Sequence, residues 1–152
     1  MSTDTPTWPL DNDEAARIDE ARDDFAIVTR GSSDAGVLRR RARELPEGVF
    51  ASAALHAIAA RMETTMHRAD GVGIAAPQVG LGLRLVCLLL DYRTDAPHLS
   101  FAANPQILER ADAVREGYEG CLSVPGVGGR VLRNEWVRVR YRDLDGGEHE
   151  TL

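Results

Sequence analysis

Ten residues near the middle of the chain, Gly71-Val72-Gly73-Ile74-Ala75-Ala76-Pro77-Gln78-Val79-Gly80, restrict the fold more than any other stretch. They are small, apolar and turn-rich. Three glycines and a proline make a regular helix or a central strand improbable there. The opening G-x-G does not continue into the dinucleotide-binding spacing, and no strand precedes it, which argues against a nucleotide site. What the stretch offers is exposed backbone N–H groups and one polar side chain, Gln78, all suited to donate to a developing oxyanion. A structural loop packed on the core fits the same residues about as well.

The flanks define the loop's surroundings. Before it, Leu55, Ile58, Met62, Met66 and Ala69 recur every three or four residues, which predicts a helix over about 50–69 that ends at Asp70-Gly71. After it, Arg84 to Tyr92 predicts a strand whose near-continuous apolar centre, with Cys87 in the middle, is buried on both faces. Further extended segments are expected at Leu99–Ala103 and Ile107–Arg115. Residues 131–142 alternate apolar and basic and predict one half-buried strand, with Gly126 to Gly129 a flexible turn before it. Asp143-Leu-Asp-Gly-Gly147 predicts a hairpin turn, with Glu148 to Leu152 starting the return strand. These elements predict an α+β fold with antiparallel sheets.

Upstream, Phe25 to Val28 predicts a short strand and Val37 to Leu45 a short basic helix, whose Arg39, Arg40 and Arg41 read as a solvated face. Asp11 to Asp24 holds seven acids against two arginines with few apolar residues, so residues 1–24 are expected to form an acidic, disordered extension, a solvated tail or a frayed helix, ahead of a domain over 25–152.

At 152 residues one domain with a real core is expected. The net charge of −6 argues against a nucleic-acid or acidic-membrane surface. All 18 basic residues are arginine, which reads as coding bias. Two cysteines far apart make no disulfide framework, no signal peptide opens the chain, and the run Leu85 to Leu90 is too short to span a bilayer. A cytoplasmic location is expected.

The second segment with chemical promise is Glu119-Gly120-Cys121-Leu122-Ser123-Val124-Pro125-Gly126. Its small residues let a metal or substrate come close to the thiol, while a buried, inert cysteine fits the same pattern. The histidines give little help. His56 and His67, eleven residues apart on one helix side with Glu63, are too far apart for one ion. His98 and His149 read as surface residues.

Gly71–Gly80 and Glu119-Gly-Cys-Leu-Ser123, in this order, closely resemble the first two signature motifs of peptide deformylases. The resemblance extends over about residues 26–152. It implies removal of the formyl group from the N-terminal formyl-methionine of nascent chains, in protein biosynthesis, by a metallohydrolase using Fe2+, or Zn2+ or Ni2+. Carried over by motif, Cys121 is a metal ligand. Gln78 and the backbone N–H of Leu122 stabilise the oxyanion. Val72, Gly73 and Ile74 hold the peptide extended, and Glu119 and Arg133 pair behind the cysteine. The implied partners are formyl-Met peptides and the ribosome exit region.

The family's third motif, H-E-x-x-H on a central helix, supplies two more ligands and the general acid/base. This sequence has no such motif. His149-Glu150-Thr151-Leu152 begins like one, within the return strand of a hairpin. The reading is therefore a C-terminally truncated, peptide-deformylase-like domain lacking the central helix and inactive as an isolated chain. Without that helix, the faces carrying Val86, Val137 and Val139 are expected to lose a packing partner. The alternatives are a non-catalytic formyl-peptide or ribosome-associated binding module, or a thiol-dependent amidohydrolase, for which no histidine is placed beside Cys121.

Overall fold

The computed structural model describes residues 10–152. The first nine residues of the expected acidic extension lie outside them. The helix α1 spans Asn12–Glu20 and α2 spans Ala53–Arg68. The strands are β1 Gly73–Ala75, β2 Leu85–Leu90, β3 His98–Arg110, β4 Val114–Cys121, β5 Val124–Asn134, β6 Val137–Arg142 and β7 Glu148–Thr151. They form a five-stranded antiparallel sheet in the order β1-β2-β3-β6-β7 and a separate β4–β5 ribbon.

α2 forms where the 3.6-residue periodicity predicts it. The Ser52 hydroxyl caps its start by accepting from the Leu55 N–H at 3.1 Å. It stops where Asp70 turns left-handed at φ 53° and the Gly71 N–H reaches back to the Met66 carbonyl at 2.9 Å. Its buried face, Leu55, Ile58, Ala59, Met62 and Met66, packs on Ile74, Leu85 and Cys87 of the sheet. Fully burying each large aliphatic side chain contributes about 1.5–3 kcal/mol.

β2 corrects one expectation. Leu85 and Cys87 are buried, but Leu88 and Leu90 are 37% and 39% exposed, so only one face is covered. An apolar run alone does not tell whether the far face has a neighbour. On that far face Val86 is half-buried, as are Val137 and Val139 in β6.

The expected strand over 131–142 is two strands. Alternation continues through Glu135-Trp136, but the chain changes sheets there. Ala111 donates to the Trp136 carbonyl at 3.0 Å and Glu135 to the Ala113 carbonyl at 2.9 Å, pinning the corner. Gly126–Gly129 is not a flexible turn but part of β5: Gly128 and Gly129 pair with Gly120 and Glu119 of β4, and the strand bulges at Gly126, φ 74°. Leu99–Ala103 and part of Ile107–Arg115 merge into the single bent strand β3. At the bend, Asn104 adopts φ 52° and its amide exchanges two hydrogen bonds with the Leu45 backbone, at 2.8 and 2.9 Å.

Upstream, the basic helix reduces to a 3₁₀ turn, Ala35–Leu38. The Phe25–Val28 segment joins no sheet. Where an acidic, disordered stretch is expected, residues 12–20 form α1, with a capping box between Asp11 and Glu14.

Candidate active site

The loop Gly71–Gly80 is β1 followed at once by a 3₁₀ turn, Ala76–Val79. The turn closes at Gly80 (φ 84°), a left-handed position that suits glycine. Gln78 is locked within it. Its Oε1 accepts from the Ala75 N–H at 2.9 Å, and its backbone carbonyl accepts from the Val28 N–H at 2.8 Å. With Oε1 occupied, the side-chain amide points outward. Nε2 lies 3.3 Å from Ser123 Oγ and 3.8 Å from Cys121 Sγ.

Cys121 comes from the other motif. The β4–β5 ribbon projects from the body with most of its residues exposed, and its two-residue tip, Leu122-Ser123, is inserted back. Leu122 packs against the core. It packs closely over Gly71, where a Cβ would stand 2.9 Å from Leu122 Cδ1 and push that methyl aside. Ser123 is buried, and its carbonyl accepts from the Arg30 N–H at 2.8 Å. The stretch Val28–Arg30 thus ties the two motifs together through one backbone bond to each. Cys121 is exposed, whereas Cys87 is buried and its thiol is pushed up to about 12, first by burial and then by the charge of Glu63.

Between the motifs runs an open groove of about 990 Å3. One wall is Asp70–Gly73 with Gln78, the other Cys121, Leu122 and Val124–Gly128, with Ile27, Thr29 and Tyr118 at the margins. β1 is the edge strand of its sheet, so one side of its backbone has no strand partner. Sequence reasoning missed Ser123 and the Ile27–Arg30 stretch. Ser123 stood inside the recognised motif, but only its burial beside Gln78 shows a role. No local pattern marks Val28 and Arg30.

Glu119 and Arg133 form a two-pronged ion pair across the ribbon, with Arg133 Nε and Nη2 at 2.9 and 2.7 Å from the two carboxylate oxygens. That guanidinium holds the Glu119 carboxyl below its ordinary range.

The chain matches the model of the polypeptide deformylase family over residues 26–152. It belongs to that family. A peptide deformylase of Roseiflexus sp. (strain RS-1) is 43% identical over 104 residues, covering 61% of this chain and 56% of the relative. Peptide deformylase 2 of Pseudomonas syringae pv. tomato is 40% identical over 120 residues, covering 76% and 67%. The chain spans little more than half the length of the first of these curated relatives. Among solved structures, the class I type b peptide deformylase of Acinetobacter baumannii with Met-Ala-Ser bound superposes with a TM-score of 0.76 at 34% identity, over 84% of this chain and 82% of that one. The actinonin-bound form of that enzyme also gives 0.76, at 34% identity, over 84% and 80%.

Peptide deformylases are metal-dependent, which makes the donor set of this chain a direct test. Among the described residues no three His, Cys, Asp or Glu side chains converge. Cys121 offers one thiol. Each histidine stands by a carboxylate elsewhere: His56 by Asp145 at 2.9 Å, His67 by Glu63 at 3.8 Å, His98 by Asp91 at 3.3 Å and His149 by Asp143 at 2.6 Å. His149 is exposed on the return strand β7, as expected, and stacks on Tyr141 of β6. The described residues do not fit a catalytic metal site, which needs about three protein ligands and an open position.

Proposed function

We propose that these residues form the formyl-peptide recognition half of a peptide deformylase. The observation that carries this reading is the convergence of Gln78 and Cys121–Ser123 at one end of a groove whose wall is an unpaired strand edge. An N-terminal peptide would lie extended along Val72, Gly73 and Ile74, pairing with β1 by strand addition. Its formyl oxygen would sit at the Gln78 end of the groove. There Gln78 Nε2 and the Leu122 N–H would donate to it, and they would hold it most strongly as negative charge develops. Neither donor needs to reorganise, because Oε1 of Gln78 and the side chain of Leu122 are already fixed. The Met-Ala-Ser peptide bound by the Acinetobacter baumannii relative supports this choice of ligand.

Because the donor set does not fit a metal, the favoured activity of these 152 residues is binding without turnover. The test is titration with formyl-Met-Ala-Ser and with Met-Ala-Ser. Preference for the formylated peptide is expected, and its loss in Gln78→Glu. Equal affinity for both peptides overturns the recognition reading. Sustained formate release with added Fe2+, Zn2+ or Ni2+ overturns the binding-only one.

A further inference from the structure

α1 lies outside residues 26–152, the part of the chain that matches the family, yet it docks against the loop that carries Gln78. Its central contact is Glu14, a carboxylate only 3% exposed. Oε1 of Glu14 accepts from the Gly82 N–H at 2.7 Å and from Arg43 Nη2 at 2.7 Å, while Oε2 accepts from the Asp11 N–H at 3.0 Å. A buried carboxylate persists only with such a full set of partners. One turn along, Arg17 pairs with Asp34 and lies directly on Gly80, where any Cβ would overlap the guanidinium. The helix is also tied to α2, through Arg61 Nη1 and the Ile18 carbonyl at 2.8 Å.

The two residues that α1 grips, Gly80 and Gly82, directly follow the 3₁₀ turn holding Gln78. That turn closes through bonds from Gly80 N to the Pro77 carbonyl at 3.1 Å and from Leu81 N to the Ala76 carbonyl at 3.0 Å. Gly80 and Gly82 have little intrinsic preference for one backbone path. Leu81 between them is buried in the core, so α1 and the core together fix the end of the turn. On the far side of the turn, the Ala75 N–H already holds Gln78 Oε1.

We propose that α1 is a clamp on the site, with Glu14 and Arg17 as positioning residues that keep the Gln78 amide directed at Ser123 and Cys121. The functional consequence rests on the reading of Gln78 as the formyl donor. Held from both sides, Gln78 is presented to the formyl oxygen in advance. Released, it spends part of its time elsewhere, and formyl discrimination falls while contacts along β1 are kept.

The test compares the full chain with Glu14→Ala and Arg17→Ala, and with Ile58→Val as a control destabilised in the core with every polar contact of α1 kept. Amide exchange at Gly82 and the ratio of Kd values for Met-Ala-Ser and formyl-Met-Ala-Ser are measured. Glu14→Ala is expected to speed exchange at Gly82 and to cut the formyl preference about tenfold, the scale of one hydrogen bond. Affinity for Met-Ala-Ser stays near that of the parent. Arg17→Ala moves both readouts the same way and suffices if Glu14→Ala does not fold. Ile58→Val moves neither. If the variants keep both the formyl preference and the protection of Gly82, the clamp is wrong. If the parent shows no formyl preference, the recognition reading fails, and exchange at Gly82 alone then decides whether α1 clamps the loop.

Discussion

Arg133 holds both carboxylate oxygens of Glu119 across the β4–β5 ribbon, and Glu119 stands two residues before Cys121. The ribbon is held to the body at its root, through the bonds at Ala111 and Ala113, and at its tip through Leu122, so the pair braces the span between them beside Cys121.

Arg133→Lys is expected to loosen the ribbon without unfolding the protein. Lysine keeps the charge but loses the fork that matches a carboxylate. Both partners are solvent-exposed, so the unfolding midpoint should stay nearly constant. Amide exchange over 115–121 and 129–134 should accelerate, and Cys121 should alkylate faster. Unchanged exchange in the ribbon would show that the backbone ladder alone holds it.

Gln78 separates a structural from a functional role within one side chain. Gln78→Glu keeps an acceptor for the Ala75 N–H but removes the donor facing Ser123. Stability should change little while formyl preference disappears. Gln78→Met removes both. It leaves the Ala75 N–H unsatisfied and should cost about 1–3 kcal/mol in urea unfolding. Equal destabilisation by the two substitutions would contradict the assignment of Oε1 as the structural atom.

How far the sequence exposes this arrangement depends on whether the cause is local. α2 was legible because periodicity and capping act within the helix itself, and the turn at Asp143–Gly147 because aspartate and glycine specify it directly. The motif residues Gln78 and Cys121 were legible by resemblance. Their approach to each other was not, since it rests on Leu122 packing into the core over Gly71 and on Val28 and Arg30 each donating one backbone bond. The break at Glu135-Trp136 was hidden because alternation runs through it, and the exposed face of β2 because an apolar run does not name its neighbours. The start of α1 is marked locally by the capping box Asp11–Glu14, but its docking was not legible, because it depends on Glu14 reaching Gly82, sixty-eight residues away.

The β6–β7 hairpin should be sensitive to acid through Asp143. Its carboxyl lies below its ordinary range, first because of the hydrogen bond with His149 and then because the Gly147 and Asp145 N–H groups donate to it. A depressed folded value means the stabilisation is complete above the unfolded carboxylate value, near pH 4 for a free aspartate, and is lost as pH falls through the depressed one. Chemical shifts of Tyr141 and Gly147 should report hairpin opening in that acidic window. Asp143→Asn should open the hairpin partly at neutral pH and flatten the acid response. A hairpin in Asp143→Asn that still responds to acid as the parent does would place the controlling group elsewhere.

The two cysteines should differ sharply in reactivity, and the difference reports on the groove. Cys121 is exposed at the groove wall, whereas Cys87 packs against Met66 Sδ at 4.0 Å in the core with its thiol pushed up to about 12. A thiol attacks as its thiolate, so at pH 8 the native protein should release colour with Ellman's reagent through Cys121 alone. Cys87 should join only after denaturation, or slowly at the rate of core opening. Cys121→Ser should leave no rapid phase. Saturating formyl-Met-Ala-Ser should slow the Cys121 reaction, because an occupant of the Gln78 end covers the sulfur. Slowing by Met-Ala-Ser to the same extent would mean that the peptide backbone shields the thiol and that the formyl group lies elsewhere.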